Sequence, residues 1–262
     1  MATLFSMLRR KPRRTPQSAR RIVLVHGASH GAWCWEILTP ILTSYGYEVQ
    51  TLDLPGLGDD PTPPAQVRLA DYVDRIVGVL KSRAEPALLV AHSMGGLPAS
   101  QAAENASDHV ARLVFLSAVA LKDGESMGGL SLLDLPNSAS QTIRPSSVEG
   151  AVEFDPDRAQ DVFYNRCSPE IAAKAKARLK PQAATPIGEP VALSQERYGR
   201  VPKSYIVCAD DHALPASAQR WFCERGDIGR VREIASDHSP FLSAPRELAY
   251  IIDDEARVGR LQ

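Results

Sequence analysis

The sequence predicts a doubly wound α/β fold with a mostly parallel sheet of six strands and a helical cap insertion. Two observations carry this prediction. Six short runs rich in apolar residues are interpreted as strands that lack polar alternation, which is typical of strands that helices cover on both faces. Between these runs lie stretches whose apolar residues recur at helical spacing, and such alternation of strands and helices favours a parallel sheet.

The strands follow in order from their apolar runs and from the turn residues that end them. The first run, RIVLVHGA, reaches its turn at Gly27, and YEVQTLDLPGLG repeats the form of a strand followed by a Gly/Pro loop. ALLVAHS, VARLVFLSA, KSYIVCAD and VREIAS complete the set. Helices are predicted between the runs, where apolar residues fall at i, i+3 and i+4, over residues 33–45, 68–82, 94–106, 214–225 and 243–256.

Residues 120–195 break this alternation. The stretch LKDGESMGGLSLLDLPNSAS is followed by the short helical run SPEIAAKAKARLK. Ligands of such sheets bind beyond the carboxyl ends of the strands, so an insertion that leaves from VFLSA is expected to cover that edge as a cap or lid. The predicted organisation is therefore a core of residues 21–119 and 196–262, a cap of residues 120–195 and a basic tail of residues 1–20.

The composition disfavours several classes of function. With 44% hydrophobic residues and a net charge of -1, the chain has no bulk field that would attract nucleic acid or anionic lipid. No apolar segment reaches the roughly 18 residues needed to span a membrane. Residues 1–21 hold seven basic and no acidic side chains, which leaves a disordered tail and an organelle transit peptide as alternatives. We expect a cytoplasmic protein, and the sequence leaves open whether it forms a homodimer.

The stretch ALLVAHSMGG places Ser93 between a strand and a helical stretch, which is the context of a nucleophile elbow. That motif reads G-x-S-x-G, and here Ala91 stands at the first glycine position. The motif needs a small side chain where helix and strand nearly touch, and alanine adds only one methyl group. The alternative is an ordinary turn at the end of a strand, so the pentapeptide alone does not establish a nucleophile.

A nucleophilic serine needs a base and an orienting carboxylate, which in this fold class follow in the order Ser, Asp or Glu, His. Asp210 and Asp211 end one strand, and Asp237 and His238 follow the next. Each aspartate could instead cap the helix after it, and a lone histidine is more often a solvated loop residue. Because all these residues follow strands of the predicted sheet, they are expected to meet at one of its edges. This favours a triad of Ser93, His238 and an aspartate at 210 or 211.

Acyl transfer also requires donors for the developing oxyanion, usually two backbone N–H groups. Met94 supplies one at the start of a helix, and Ala28, after the turn at Gly27, supplies the other. The alternative is that HGASHG is only a glycine-rich loop. Phosphate-binding glycine motifs and His/Cys clusters with metal-ligand spacing are missing from the sequence, so no cofactor and no metal is predicted. The five other histidines are interpreted as structural or exposed.

Several motifs taken together resemble a known family. They are VLVHGASHGAWCWEILTPIL, LVAHSMGGL, RCSPE, ERYGRVPKSYIVCADDHALP, QRW and DHSPFLS. In this order they are similar to the plant methylesterase and hydroxynitrile lyase group of α/β-hydrolases and to its bacterial esterase relatives. The likeness runs from about residue 22 to the end of the chain and is weakest over residues 120–160.

The resemblance implies the α/β-hydrolase fold and the roles of single residues. It implies Ser93 as the nucleophile, His238 as the general base and acid, and the two amides named above as oxyanion donors. Counting back from QRW places the catalytic carboxylate on Asp211, with Asp210 as its neighbour.

The resemblance further implies a serine hydrolase of small carboxylic esters, with an aromatic or cyclic acyl group favoured. The expected substrate pocket comprises Gly27, Phe163, Tyr164 and Ser239. The lyases of the group carry a threonine and a lysine where this chain has Gly27 and Ser239, which disfavours the lyase interpretation. A lyase or non-hydrolytic cyclase and a small-molecule receptor, both on the same fold, stay open as alternatives.

Overall fold

The computed structural model describes residues 19–130 and 138–258. Its strands, in chain order, are β1 (Arg21–Val25), β2 (Glu48–Thr51), β3 (Ala87–His92), β4 (Val110–Leu116), β5 (Ile143–Pro145), β6 (Ala151–Phe154), β7 (Gln182–Ala183), β8 (Lys203–Cys208) and β9 (Val231–Ile234). Six of them form one sheet in the order β2-β1-β3-β4-β8-β9, and every neighbouring pair in it is parallel. These are the six strands that the sequence predicts.

Helices cover both faces of this sheet. They are α1 (Leu38–Ser44), α2 (Leu69–Lys81), α3 (Gly96–Asn105), α4 (Ala159–Phe163), α5 (Pro169–Lys176), α6 (Thr185–Gly188), α7 (Ala216–Arg225), α8 (Pro240–Ser243) and α9 (Pro245–Arg257). Apolar residues of α1, α8 and α9 form a core with one face of the sheet, and those of α2, α3 and α7 form a core with the other. The prediction of a doubly wound sheet is therefore confirmed.

The central strands show why the apolar runs lack alternation. All six residues of β3 and all seven of β4 are buried. Within β3, Leu89 and Ala91 belong to the core on one face, whereas Leu88 and Val90 belong to the core on the other. Because successive side chains of a strand point to opposite faces, both sets must be apolar when helices cover both faces.

The segment between β4 and β8 holds a second, smaller sheet. In it β5, β6 and β7 pair antiparallel in that order, with α4, α5 and α6 around them. The helical run predicted from SPEIAAKAKARLK is α5, which begins after Ser168, whose hydroxyl accepts from the amide of Ile171 at 3.3 Å. Helices are present in this segment as predicted, and the small sheet was not predicted because strands of two to four residues are too short to show a period.

This segment lies over the carboxyl ends of the main strands. Three of its backbone amides bind the loops that follow β1, β8 and β9: Lys180 N–H donates to Ser29 O at 2.9 Å, Ala139 N–H to Ala213 O at 3.0 Å, and Arg166 N–H to Asp237 Oδ2 at 2.9 Å. The predicted domain boundaries stay predictions.

The predicted basic tail comprises residues 1–20, and residues 1–18 of it lie outside the described part of the chain. The first described residue, Ala19, donates its amide to the carbonyl oxygen of Ala256 in α9 at 2.9 Å. Among the described residues, the helices are too short or too polar to cross a bilayer.

Candidate active site

Ser93 stands on a sharp bend between β3 and α3. Its φ angle is 54°, in the left-handed region, and residues 93–95 form a single 3-10 turn before α3 begins. Two close approaches require glycine after it: a Cβ at Gly95 would lie 2.6 Å from the carbonyl oxygen of His26, and one at Gly96 would lie 2.2 Å from that of Val119. The alanine at position 91 is fully buried in the core, so its methyl group is accommodated.

The loops after β8 and β9 bring a histidine and a carboxylate to this bend. His238 Nε2 lies 2.9 Å from Ser93 Oγ, and His238 Nδ1 lies 2.7 Å from Asp211 Oδ2. His238 is 2% exposed and Asp211 is 5% exposed. The structure therefore joins these three predicted residues in one chain of hydrogen bonds, with little access for bulk water.

Asp211 uses its two oxygens differently. Oδ1 accepts from the amides of Ala213 and Leu214, each at 2.8 Å, as a capping aspartate does. Oδ2 accepts from His238 Nδ1–H, from Ser117 Oγ–H and from Gln219 Nε2–H at 3.2 Å. One carboxylate therefore serves both roles that the sequence left as alternatives.

The two other aspartates of these loops bind elsewhere. Asp210 is exposed and forms an ion pair with Arg166 at 2.7 Å. Asp237 is buried, and its oxygens accept from Ser239 N–H at 3.0 Å, from Ser243 Oγ–H at 2.7 Å and from the Arg166 amide. Of the neighbouring aspartates 210 and 211, the one in contact with His238 is Asp211.

Two backbone amides lie beside Ser93. Met94 is in the first turn of the helical segment, where amides have no intrahelical acceptor, and within the described residues the Ala28 amide donates to no backbone acceptor. A Cβ on Gly27 would lie 2.7 Å from Ser93 Cβ, so the chain passes close to the serine only because position 27 is glycine. The carbonyl oxygen of Gly27 accepts from His26 Nδ1–H at 2.8 Å, which fixes the plane of the peptide that carries the Ala28 amide.

Above Ser93 and His238 lies a cavity with about 920 Å³ of empty space, part of it open to solvent. Its walls come from the strand-end loops and from the segment between β4 and β8, and the described residues that line it include no Asp, Glu, Lys or Arg. Representative apolar lining residues are Ala28, Val119, Phe154, Phe163 and Leu214.

Of the four predicted pocket residues, Phe163 lines this cavity and the other three lie behind its wall. Tyr164 is fully buried, and its hydroxyl donates to His30 Nε2 at 2.8 Å instead of facing the cavity. Ser239 is fully buried at the start of α8, and Gly27 lies under Ser93. The sequence alone does not separate wall residues from those directly beneath them.

Three buried histidines surround the site, and two of them, His30 and His92, line the cavity. Burial lowers the pKa of His26 to about 4 and that of His30 to about 3, and it lowers the pKa of His92 well below its ordinary value. All three are therefore neutral at physiological pH. His26 Nε2 accepts from the Leu54 amide at 3.1 Å and His30 Nε2 accepts from Tyr164, so both rings carry their proton on Nδ1.

These neutral histidines predict a loss of stability in mild acid. The folded pKa values of His26 and His30, about 4 and about 3, lie below the ordinary histidine pKa of 6.5, so the unfolded chain binds more protons than the folded protein as the pH falls below 6.5. Between pH 7 and pH 5, each of these two histidines lowers the free energy of unfolding by about 2 kcal/mol. Thermal unfolding at the two pH values measures this. His30→Gln should show a smaller difference than wild type, and an equal difference would contradict the account.

Sequence reasoning did not single out Ser117 and Gln219, which both donate to Asp211. Ser117 had a usable signal, because it is a polar residue at the carboxyl end of an apolar strand, as Ser93 is. Gln219 lies inside α7 and had none. Among the described residues, no group of three or more His, Cys, Asp or Glu side chains is arranged to hold a metal ion.

Comparison with known proteins shows the family to which the chain belongs. The model of the alpha/beta hydrolase family matches residues 22–249. Methylesterase 7 of Arabidopsis thaliana is 32% identical over 249 residues, which cover 89% of this chain and 95% of that protein. The putative chloroplastic methylesterase 13 of the same plant is 29% identical over 91% of this chain, but the match covers only 56% of that protein. This chain therefore spans little more than half the length of some of its curated relatives.

Solved structures give the same assignment. The crystal structure of polyneuridine aldehyde esterase matches with a TM-score of 0.80 and 28% sequence identity, over 90% of this chain and 98% of that one. The chain belongs to the alpha/beta hydrolase family, in the group of the plant methylesterases.

Proposed function

We propose that this protein is a carboxylic-ester hydrolase, which cleaves small esters through a covalent acyl-enzyme on Ser93. One observation carries the proposal: the hydrogen-bonded chain from Ser93 through His238 to Asp211, with separations of 2.9 and 2.7 Å, at the floor of an apolar cavity. A serine that only ended a strand would not require a buried histidine and a buried carboxylate behind it.

In the proposed first step, Ser93 Oγ attacks the ester carbonyl carbon while its proton passes to His238 Nε2. Asp211 Oδ2 holds the imidazole by Nδ1–H and stabilises the imidazolium that forms. The carbonyl π bond opens, and its electron pair becomes an oxyanion on the former carbonyl oxygen. This oxyanion would accept hydrogen bonds from the amides of Ala28 and Met94.

Collapse of this tetrahedral intermediate breaks the bond to the alkoxy group, which leaves as the alcohol with the proton from His238. A water molecule then attacks the acyl-enzyme and gives its proton to His238, and a second collapse returns Ser93 and releases the acid. One water is consumed, and one alcohol and one acid are formed.

The cavity supports an uncharged, mostly apolar substrate. A charged acyl group would lose its hydration there and find no opposite charge among the described lining residues. Phe163, packed with its ring centroid 5.7 Å from that of His238, offers an aromatic surface beside the reacting atoms. We therefore propose small esters with an aromatic or cyclic acyl group, and we propose that the segment between β4 and β8 acts as the cap that holds them.

Two positions support hydrolysis over lyase chemistry. Position 27 passes so close to Ser93 that even a Cβ would meet it at 2.7 Å, so glycine leaves the serine oxygen free to approach a carbonyl. Position 239, directly after His238, is a buried serine and supplies no cation for a departing anion.

The proposal is tested by hydrolysis of a panel of methyl and activated esters in water enriched in ¹⁸O. Hydrolysis through an acyl-enzyme places one solvent oxygen in the acid product, whereas a lyase or cyclase product carries none. Incubation with an organophosphonate should add one adduct, which peptide mass mapping locates on Ser93. Turnover without solvent oxygen, or labelling away from Ser93, would contradict the proposal. A ligand that protects against heat unfolding but is never hydrolysed would favour the receptor interpretation.

A further inference from the structure

Ser117, at the carboxyl end of β4, contacts the carboxylate of the proposed triad. It is fully buried, its φ angle is 40°, and its amide donates to Ile206 O at 3.0 Å. The hydroxyl donates to Asp211 Oδ2, the same oxygen that His238 Nδ1 binds, and it lies 3.4 Å from that nitrogen. A strand can end without a serine in the left-handed region, and without a hydroxyl that binds the same carboxylate oxygen as His238 does.

The two residues after Ser117 connect it to the nucleophile. The Tyr205 hydroxyl accepts from the Ala118 amide at 2.9 Å and donates to the Ala118 carbonyl oxygen at 2.7 Å, which fixes this residue at both its polar groups. The next amide, that of Val119, donates to the carbonyl oxygen of Ser93 at 3.2 Å. Residues 117–119 therefore contact Asp211 at one end and Ser93 at the other.

We propose that Ser117 and Tyr205 are positioning residues, which through residues 117–119 hold Asp211 and Ser93 at the separation that the triad needs. This inference rests on the proposed function. Ser117 fixes the rotation of the Asp211 carboxylate and takes part of its negative charge, and Tyr205 fixes the backbone from which both contacts are made. Because Val119 also lines the cavity, the same three residues join the substrate wall to the triad.

The expected signature of Ser117 is a change in pH dependence. Without the Ser117 hydroxyl, no hydrogen bond from residue 117 withdraws negative charge from Asp211 Oδ2, so this oxygen attracts the imidazole more strongly. The protonated form of His238 is then favoured, and activity is lost at a higher pH. Several other titratable groups lie around the pair. Burial holds His92 neutral by lowering its pKa, and burial keeps Cys208 and Tyr205 neutral by raising theirs. The Asp237 carboxylate accepts five hydrogen bonds of its own, from two backbone amides, two serine hydroxyls and the Cys167 thiol.

The experiment measures kcat and KM against pH for Ser117→Ala, Ser117→Gly and Tyr205→Phe on the best ester of the panel. For the two Ser117 variants we expect kcat to fall about tenfold with KM within about twofold, and the acidic limb of kcat/KM to move up by about half a pH unit. Glycine removes the hydroxyl and also relieves the left-handed backbone, so an equal shift in both variants assigns the effect to the hydroxyl. For Tyr205→Phe we expect the fall in kcat without the shift.

Two matched controls remove buried or partly buried hydroxyls away from the site. Ser100→Ala loses a donor to Gly96 O at 2.7 Å, and Tyr47→Phe loses one to Asp253 Oδ1 at 2.6 Å. Both should keep the wild-type pH profile. If the Ser117 variants have wild-type kcat and pH profile while Ser93→Ala is inactive, the inference is wrong and the proposed function stands. If Ser93→Ala hydrolyses like wild type, the proposed function fails and this inference fails with it.

Discussion

Replacement of Ser93 by alanine is expected to lower kcat/KM for ester hydrolysis by about 10⁴-fold or more. The variant loses the oxygen proposed to attack the ester but keeps the cavity and the two amides proposed to bind the oxyanion, so substrate should still bind. Its fold should persist, because alanine places the same Cβ at the same left-handed backbone position. Steady-state hydrolysis of the ester panel, with circular dichroism and thermal unfolding on the same preparation, measures both expectations.

Ser100→Ala is the matched control, since it removes a buried serine hydroxyl from α3 without touching the triad. It should hydrolyse like the wild type. Equal hydrolysis by wild type and Ser93→Ala would mean that Ser93 is only a turn residue at the end of β3. If neither protein hydrolyses any ester of the panel, the lyase and receptor interpretations gain over the hydrolase.

Replacement of Asp211 by asparagine is expected to lower kcat by about 10³ to 10⁴-fold. The present carboxylate accepts on both oxygens, from the amides of Ala213 and Leu214 on one side and from His238 and Ser117 on the other. An asparagine NH₂ group would face donors whichever way it is turned. If it faces His238, the ring is driven to the wrong tautomer, and if it faces the amides, the loop that carries the residue is displaced.

Asp210→Asn is the control that the chain itself offers, since it makes the same change one residue earlier. That side chain is exposed, and its ion pair with Arg166 at 2.7 Å is screened by water. We expect near wild-type kcat and less than about 1 kcal/mol of lost stability. An inactive Asp210→Asn beside an active Asp211→Asn would exchange the two assignments and contradict the geometry proposed for the triad.

The sequence was informative for features that depend on the residue types within one short segment. All six strands of the main sheet were predicted. The unbroken apolar runs belong to its central strands β1, β3 and β4, where full burial on both faces leaves no room for polar alternation, whereas the edge strands β2 and β9 are partly exposed and contain polar residues. The polar residues directly after these runs were predicted to meet at one edge, and Ser93, Asp211 and His238 do meet there. Helix starts were less exact: the predicted helix over 33–45 is a 3-10 turn at Ala32–Trp35 followed by α1 from Leu38.

The sequence was uninformative where a contact depends on how loops are placed. The small sheet of β5 to β7 has strands of two to four residues, and its partners are set by tertiary contacts rather than by a period. Phe163 and Tyr164 are adjacent aromatic residues, yet Phe163 lines the cavity whereas the Tyr164 hydroxyl donates to His30. No pattern in the chain separates these two orientations, because both side chains are buried.

The bend at Ser93 has a thermodynamic consequence for how this protein can be improved. A residue other than glycine in the left-handed region costs on the order of 1 kcal/mol, and position 93 bears that cost with φ at 54°. Glycine would suit the backbone better but has no oxygen with which to attack. Folding and the proposed chemistry therefore make opposite demands on this residue, and selection for heat resistance alone would favour glycine, which cannot form the proposed acyl-enzyme.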